Sequence, residues 1–294
     1  MKVQVIQVPY DSAHRSLRMG GGPEHFIREG AAEVLRAQGH EVSVETVEAS
    51  EGFRAEIKTA FELHRTLSAR VRTACEQGRF PLVLSGNCNS SLGTVAGVGT
   101  ENLGVVWFDA HGDFVTPETT TSGFLDGTGL ATLTGRCWKT LASSIPHFFP
   151  IAEANVIHVG VRERGGDEAV LAEQSAVAVV EAAAVRRQNL QAALEPALDA
   201  LRARVGRIYL HIDMDVLDAK IAMANEYALF GGLSVEEVLE AIRLIAARFT
   251  ISAGALASYD PSFDHQGKIF QAGIRFMQSM MASPNKQDTF NVDG

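Results

Sequence analysis

Cysteine is scarce in this sequence. Cys75, Cys88 and Cys137 are three thiols in 294 residues, an odd number that cannot pair fully and too few to staple a chain of this size. A reducing compartment follows as the expectation. No apolar run reaches the roughly 18 residues needed to cross a bilayer. Residues 1–8 alternate apolar and polar like a strand, without the continuous apolar stretch of a signal peptide. We therefore expect a cytoplasmic protein with no membrane partner. Clusters of basic residues are missing as well: Val185-Arg186-Arg187 holds only a pair, which reads as a solvated helix face. With 26 Lys plus Arg against 35 Asp plus Glu, the formal charge of −9 repels a phosphate backbone, so nucleic acid is not an expected partner. There is no internal repeat, low-complexity tract or linker rich in Pro, Gly and Ser. One large domain over 1–294 is expected instead of two.

Short β-branched runs alternate with longer helical stretches. The runs at 2–8, 41–47, 80–85, 103–108, 155–161, 176–180, 207–212 and 254–258 predict strands. Helices are predicted at 23–38, 55–77, 182–204 and 235–248, the last with Ser234 as N-cap and Glu236 and Glu237 in its first turn. Such alternation implies crossover connections, hence an α/β fold with a mostly parallel sheet covered on both faces. The segment 116–129 is rich in Thr and Gly and directly follows a strand end, where an open parallel sheet places an active-site loop. Gly20-Gly21-Gly22-Pro23 lacks the spacing of a dinucleotide fingerprint.

Two clusters carry the chemistry. In Trp107-Phe108-Asp109-Ala110-His111-Gly112-Asp113 an apolar strand runs into three potential ligands, and a spacing of two puts Asp109, His111 and Asp113 on one side of extended backbone. In Tyr209-Leu210-His211-Ile212-Asp213-Met214-Asp215, Asp213 and Asp215 share a face in the same way. Four carboxylates gathered at neighbouring strand ends repel one another unless a cation compensates them. Oxygen-rich ligands with one imidazole suit Mn2+ or a related divalent ion, and several carboxylates can bridge two such ions.

These motifs, together with Thr116-Pro117, Thr119-Thr120-Thr121-Ser122-Gly123, Leu217-Asp218 and Phe230-Gly231-Gly232-Leu233-Ser234, resemble those of the arginase (ureohydrolase) family over roughly 3–261. The resemblance implies a three-layer α-β-α sandwich with an eight-stranded, mostly parallel sheet. It also implies two Mn2+ ions that share a hydroxide, which attacks the carbon of a guanidinium or related group. On this reading Asp109 and Asp213 bridge both metals, Asp113 completes one site, and His111 and Asp215 complete the other. A small-molecule substrate and a homo-oligomer, trimer or hexamer, are implied in the same way.

The departures from the family pattern shape the functional expectation. Cys88, in Ser85-Gly86-Asn87-Cys88-Asn89, falls where the family usually has a metal-binding histidine. Some relatives acting on N-hydroxyarginine resemble this chain in having a cysteine near that point. Cys88 either ligates a softer ion or packs as a small core residue and leaves the site one ligand short. Asp126 stands at the family's proton-shuttling histidine, as a general acid, a counter-charge to a cationic substrate or a capping carboxylate. Ser258 stands where the family grips the guanidinium with a glutamate, and it cannot form a charged bidentate pair. Either Glu226 or Asp126 replaces that glutamate, or the substrate is not a plain guanidinium. Ser122 and Glu163 are further substrate-contact candidates, whereas Val115 and Phe124 occupy positions that are often Asn. His211 is expected behind the ligands or in the core. The expectation is a binuclear hydrolase acting on non-peptide C–N bonds of linear amidines, with a guanidino, hydroxyguanidino or amidino substrate other than arginine. The alternative is an arginase-fold protein that has lost hydrolysis and serves a structural or regulatory role.

Overall fold

The computed structural model describes residues 1–50, 52–53 and 55–282. Positions 51, 54 and 283–294, which the single-domain expectation includes, lie outside the described residues. All eight predicted runs form strands: β1 (Lys2–Val8), β2 (Glu41–Thr46), β3 (Phe80–Ser85), β4 (Leu103–Phe108), β5 (Val156–Val159), β6 (Ala178–Val180), β7 (Arg207–Asp213) and β8 (Thr250–Ala257). They make one sheet in the order β2-β1-β3-β8-β7-β4-β5-β6, with every neighbouring pair parallel.

Every residue of β3 and β4 is buried, as a strand covered on both faces requires. The two-residue period then divides each strand between two cores. In β4, Val106 and Phe108 join one apolar cluster, and Val105 and Trp107 join the other. The first cluster takes in Phe26, Leu194, Ile242 and Phe276 from helices on one face. The second takes in Leu67, Leu92, Val95 and Leu130 from helices on the opposite face. A three-layer α-β-α sandwich results. Among the described residues, no helix is long and apolar enough to cross a membrane.

Two predicted helices are interrupted. The stretch 23–38 divides into Gly22–Arg28 and Ala31–Ala37 because Gly30 adopts φ 92° between them. The stretch 182–204 divides into Ala182–Gln188 and Leu190–Arg202 at Asn189, whose φ is 69°. The Asn189 side chain accepts the Ala192 N–H at 3.0 Å and so caps the second piece. Elements beyond the predicted set include helices at Ser91–Val98, Gly166–Glu173 and Lys268–Met281, and a short ribbon pairing Tyr10–Asp11 with His14–Arg15.

Connections from β1 lead to β2 at one edge of the sheet, whereas β4, β5 and β6 fill the other side. The four central strands β3, β8, β7 and β4 therefore open their C-terminal ends into a single crevice, where the sequence motifs emerge.

Candidate metal centre

Each central strand delivers one part of the cluster. β4 ends at Phe108 and passes directly to Asp109, and β7 ends on Asp213. β3 is followed by the tight turn Cys88–Ser90, which leads into the helix Ser91–Val98, and β8 is followed by Ser258. The Cys88 thiol donates to Asp213 Oδ2 at 2.9 Å, and its sulfur lies 4.0 Å from Asp109 Oδ2 and 3.4 Å from Ser258 Oγ. His111 Nδ1 lies 3.5 Å from Asp109 Oδ1 and 3.3 Å from Asp215 Oδ2. Two groups with metal-ligand chemistry result, Cys88–Asp109–Asp213 and Asp109–His111–Asp215, with ligand atoms in each within 4.8 Å of one another. Asp109 belongs to both.

Hydrogen bonds fix the carboxylates. Asp109 accepts from Trp107 Nε1 at 3.2 Å and from the His111 N–H at 2.8 Å. Asp213 accepts the Asp215 N–H at 2.8 Å. Asp215 accepts from the Ala110 N–H at 3.3 Å and from Asn225 Nδ2 at 3.4 Å. Asp126 takes three donors: Asn87 Nδ2 at 3.1 Å, the Cys88 N–H at 3.0 Å and the Asn89 N–H at 2.7 Å. It thus ties the Cys88 turn to the opposite loop. Asp113 adopts φ 50°, and its buried Oδ2 has no hydrogen-bond partner.

Burial and mutual repulsion among the acids set the electrostatics of the cluster. Burial, then Asp215, raises the Asp109 carboxyl above its ordinary range, and burial with neighbouring acids raises those of Asp113 and Asp213 much further. Burial lifts Asp126 to about 7 against the pull of the N–H groups it accepts. Burial also pushes the Cys88 thiol well up, helped by Asp213 and Asp126. On His111, burial acts downward, but Asp215 and Asp109 outweigh it and push the imidazole up to about 12. Among the described residues, no lysine or arginine lines the cavity of about 530 Å³ over the cluster. An orphaned buried carboxylate oxygen and a set of oxygen, imidazole and sulfur donors short of positive charge fit divalent cations.

Ser122 and Glu163 are exposed and line the same cavity, as do Asp113, Asp126 and Ser258. Glu226 does not line it; this exposed side chain lies 3.5 Å from Arg18 Nη1. His211 is buried behind the ligands, stacked on Trp107 with ring centroids 3.8 Å apart. Sequence reasoning missed Glu168, Asn225 and Arg162. Glu168 lines the cavity and accepts the Phe114 N–H at 2.8 Å. Asn225 joins Asp215 to the Ser258 carbonyl, which it reaches at 2.7 Å. Arg162 donates to the carbonyls of Gly160, Asp215, Val216, Leu217 and Leu229, fixing the turn after Asp213. The acidic first turn of the helix Gly166–Glu173 was the available signal for Glu168. Asn225 and Arg162 carry no local pattern.

The sheet and its crevice define an α/β protein with a metal-ligand set at the ends of its central strands. Residues 1–282 match the model of the Arginase family, and the chain belongs to that family. An arginase of Bacillus caldovelox is 30% identical over 226 residues, 76% of each chain. The crystal structure of arginase from Bacillus cereus superposes with a TM-score of 0.87 at 27% identity, covering 97% of this chain and 100% of that one. Formimidoylglutamase from Bacillus subtilis shares the fold with a TM-score of 0.74 at 20% identity, covering 96% and 88%.

Proposed function

We propose that this protein, folded as one domain, is a metal-dependent hydrolase cleaving a C–N bond of a small guanidino, hydroxyguanidino or amidino compound, and that arginine is not its substrate. The carrying observation is the pair of ligand groups that share Asp109 beneath a cavity large enough for a small molecule. Asp109 and Asp213 would be among the residues that hold two divalent ions, with Mn2+ the expected species. His111 and Asp215 would serve one ion, and Cys88 and Asp113 the other. Such ions lower the pKa of water toward neutrality and polarise the carbon under attack.

The protein's own residues set the rest. An acidic cavity attracts a cationic amidino group, and Glu163 and Glu168 extend that field outward from the cluster. Asp126 lines the cavity beside the cluster, and its Oδ1 accepts a single N–H and keeps a lone pair free, a place from which a proton can pass to the departing nitrogen. Ser258 is small, neutral and within reach of the cluster, which suits a hydroxyguanidino or amidino group better than a plain guanidinium. Val115 and Phe124 give the outer wall no donor side chain for an amino acid carboxylate. Ser122 remains as one such donor.

The rival reading, a non-catalytic arginase-fold subunit, rests on Cys88 and Ser258. Both stay inside the cluster and neither is packed away from it, which favours a working centre. The test assays urea, hydroxyurea and ammonia release from a panel of guanidino, hydroxyguanidino and amidino compounds after loading with Mn2+, alongside metal content and solution mass. We expect turnover of at least one non-arginine compound and arginine turnover lower by at least about tenfold in kcat/KM. Silence across the panel in a metal-loaded protein overturns the proposal.

A further inference from the structure

The two departures from the family pattern meet in space. Cys88 Sγ and Ser258 Oγ are 3.4 Å apart, and both residues are buried. Ser258 is held rigidly at φ 61°: its N–H donates to the Ser85 carbonyl at 3.1 Å, and its carbonyl accepts Asn225 Nδ2 at 2.7 Å. The hydroxyl is thereby fixed beside the sulfur. On the other side Asp213 Oδ2 accepts from the thiol at 2.9 Å, so the sulfur meets carboxylates at the edge of the apolar cluster that Cys88 also joins. A second observation points to a ligand here: Asp113, nine-tenths buried, faces the same cavity with an unpartnered Oδ2.

The two ligand groups differ in kind. One offers sulfur with two carboxylates, the other imidazole with two carboxylates. Thiolate favours softer divalent ions, whereas carboxylate and imidazole accept Mn2+. Bonds of roughly 2.0–2.3 Å from one ion to sulfur and oxygen suit ligand atoms spaced as these are.

Building on the metal-dependent reading of this site, we propose that the centre is chemically mixed. The Cys88–Asp109–Asp213 position selects a thiophilic divalent ion of the Zn2+, Co2+ or Fe2+ kind, the Asp109–His111–Asp215 position takes Mn2+, and Ser258 tunes the first by hydrogen bonding to the sulfur. When the ion binds, a sulfur–metal bond replaces the S–H bond and the proton passes to solvent, leaving Ser258 as the hydroxyl donor to thiolate. Cys88 thus acts as a ligand and Ser258 as a positioning residue for it.

The test strips the full-length protein with a chelator, adds one equivalent of Co2+ per chain and then Mn2+ in excess, removes unbound metal, and reads elemental content and near-ultraviolet absorption. Wild type should retain both metals in about equal amounts and show a thiolate-to-cobalt charge-transfer band. Cys88→His should lose the band and lower the preference for cobalt over manganese by roughly tenfold or more. Cys88→Ser, nearly isosteric, should lose the band too and covers the case in which the histidine variant fails to fold. Ser258→Ala should shift the band while leaving metal content intact, and Cys75→Ser and Cys137→Ser should leave the band unmoved. A wild type with no band, or a cobalt preference unchanged in Cys88→His, overturns the mixed centre. Two manganese ions with turnover remove this inference and leave the hydrolase standing, whereas mixed loading with no turnover does the reverse.

Discussion

Asp113 concentrates the electrostatic problem of the site in one side chain. Its backbone is left-handed at φ 50°, its buried Oδ2 has no partner, and burial with Asp109, Asp126 and Asp213 holds its carboxyl well above the ordinary range. Asp113→Asn removes a carboxyl that folding must hold protonated unless a cation compensates its charge. The chelator-treated variant should therefore melt several degrees above chelator-treated wild type, while added Mn2+ raises its Tm by less than half the wild-type shift. Equal metal-induced shifts in a calorimetric comparison would refute this. Arg162 makes the opposite case, a charge whose value is all geometry. Lysine cannot reach five carbonyls from one planar group, so Arg162→Lys should cost roughly 2–4 kcal/mol in urea unfolding. Asp109, His111, Asp213 and Asp215 were legible because a two-residue spacing at a strand end states their common direction. Arg162 and Asn225 were not, because their partners lie far along the chain and only the folded crevice unites them.

Elements were legible where periodicity alone decides them, and less so where one residue redirects the backbone. All eight strands appear, and Ser234 caps its helix as expected: Glu237 donates its N–H to Ser234 Oγ at 3.2 Å and accepts the Ser234 N–H at 2.7 Å. Gly30 and Asn189 break two helices whose apolar spacing runs on through them, since the pattern records burial and not φ. The helix Lys268–Met281 has an apolar face but follows a turn-rich stretch, and it escaped notice. Two substitutions separate scaffold from site at this scale. Ser234→Ala should cost about 1 kcal/mol by denaturant titration and leave metal uptake unchanged. Gly86→Ala has no such freedom: a Cβ there meets the Tyr10 carbonyl oxygen and lies 2.8 Å from Gly20 Cα, backbone that cannot yield cheaply. The loop carrying Cys88 must shift, so this variant should lose metal from the thiol position as well as stability. Full metal content in Gly86→Ala, read by elemental analysis, would show that the loop tolerates the displacement.

At the scale of the molecule, the formal charge of −9 is distributed unevenly, because eight acids, five of them buried, line one crevice with a single imidazole. That placement couples stability to pH in a direction that depends on metal. Without a cation, the carboxyls of Asp109, Asp113, Asp126 and Asp213 are raised in the folded state, so they bind protons that the unfolded chain has already released. Their contribution is full below the ordinary carboxylate range and is lost as pH rises through the folded values, about 7 for Asp126. His111 acts in the same sense, since its imidazole keeps its proton to about 12 while an unfolded histidine loses it near 6.5. Asp215 is lowered and opposes them, but its effect is confined to more acidic conditions, where the unfolded carboxylate titrates. From about pH 5 to about pH 8 the chelated protein should therefore lose several degrees of Tm. Divalent ions compete with those protons for the same oxygens, so their stabilisation must grow over that interval as proton competition fades. Thermal unfolding at both ends of the range, with chelator and with Mn2+, should show the gap between the two curves widening with pH. A constant or narrowing gap would mean that the buried acids are paired by something other than the cation.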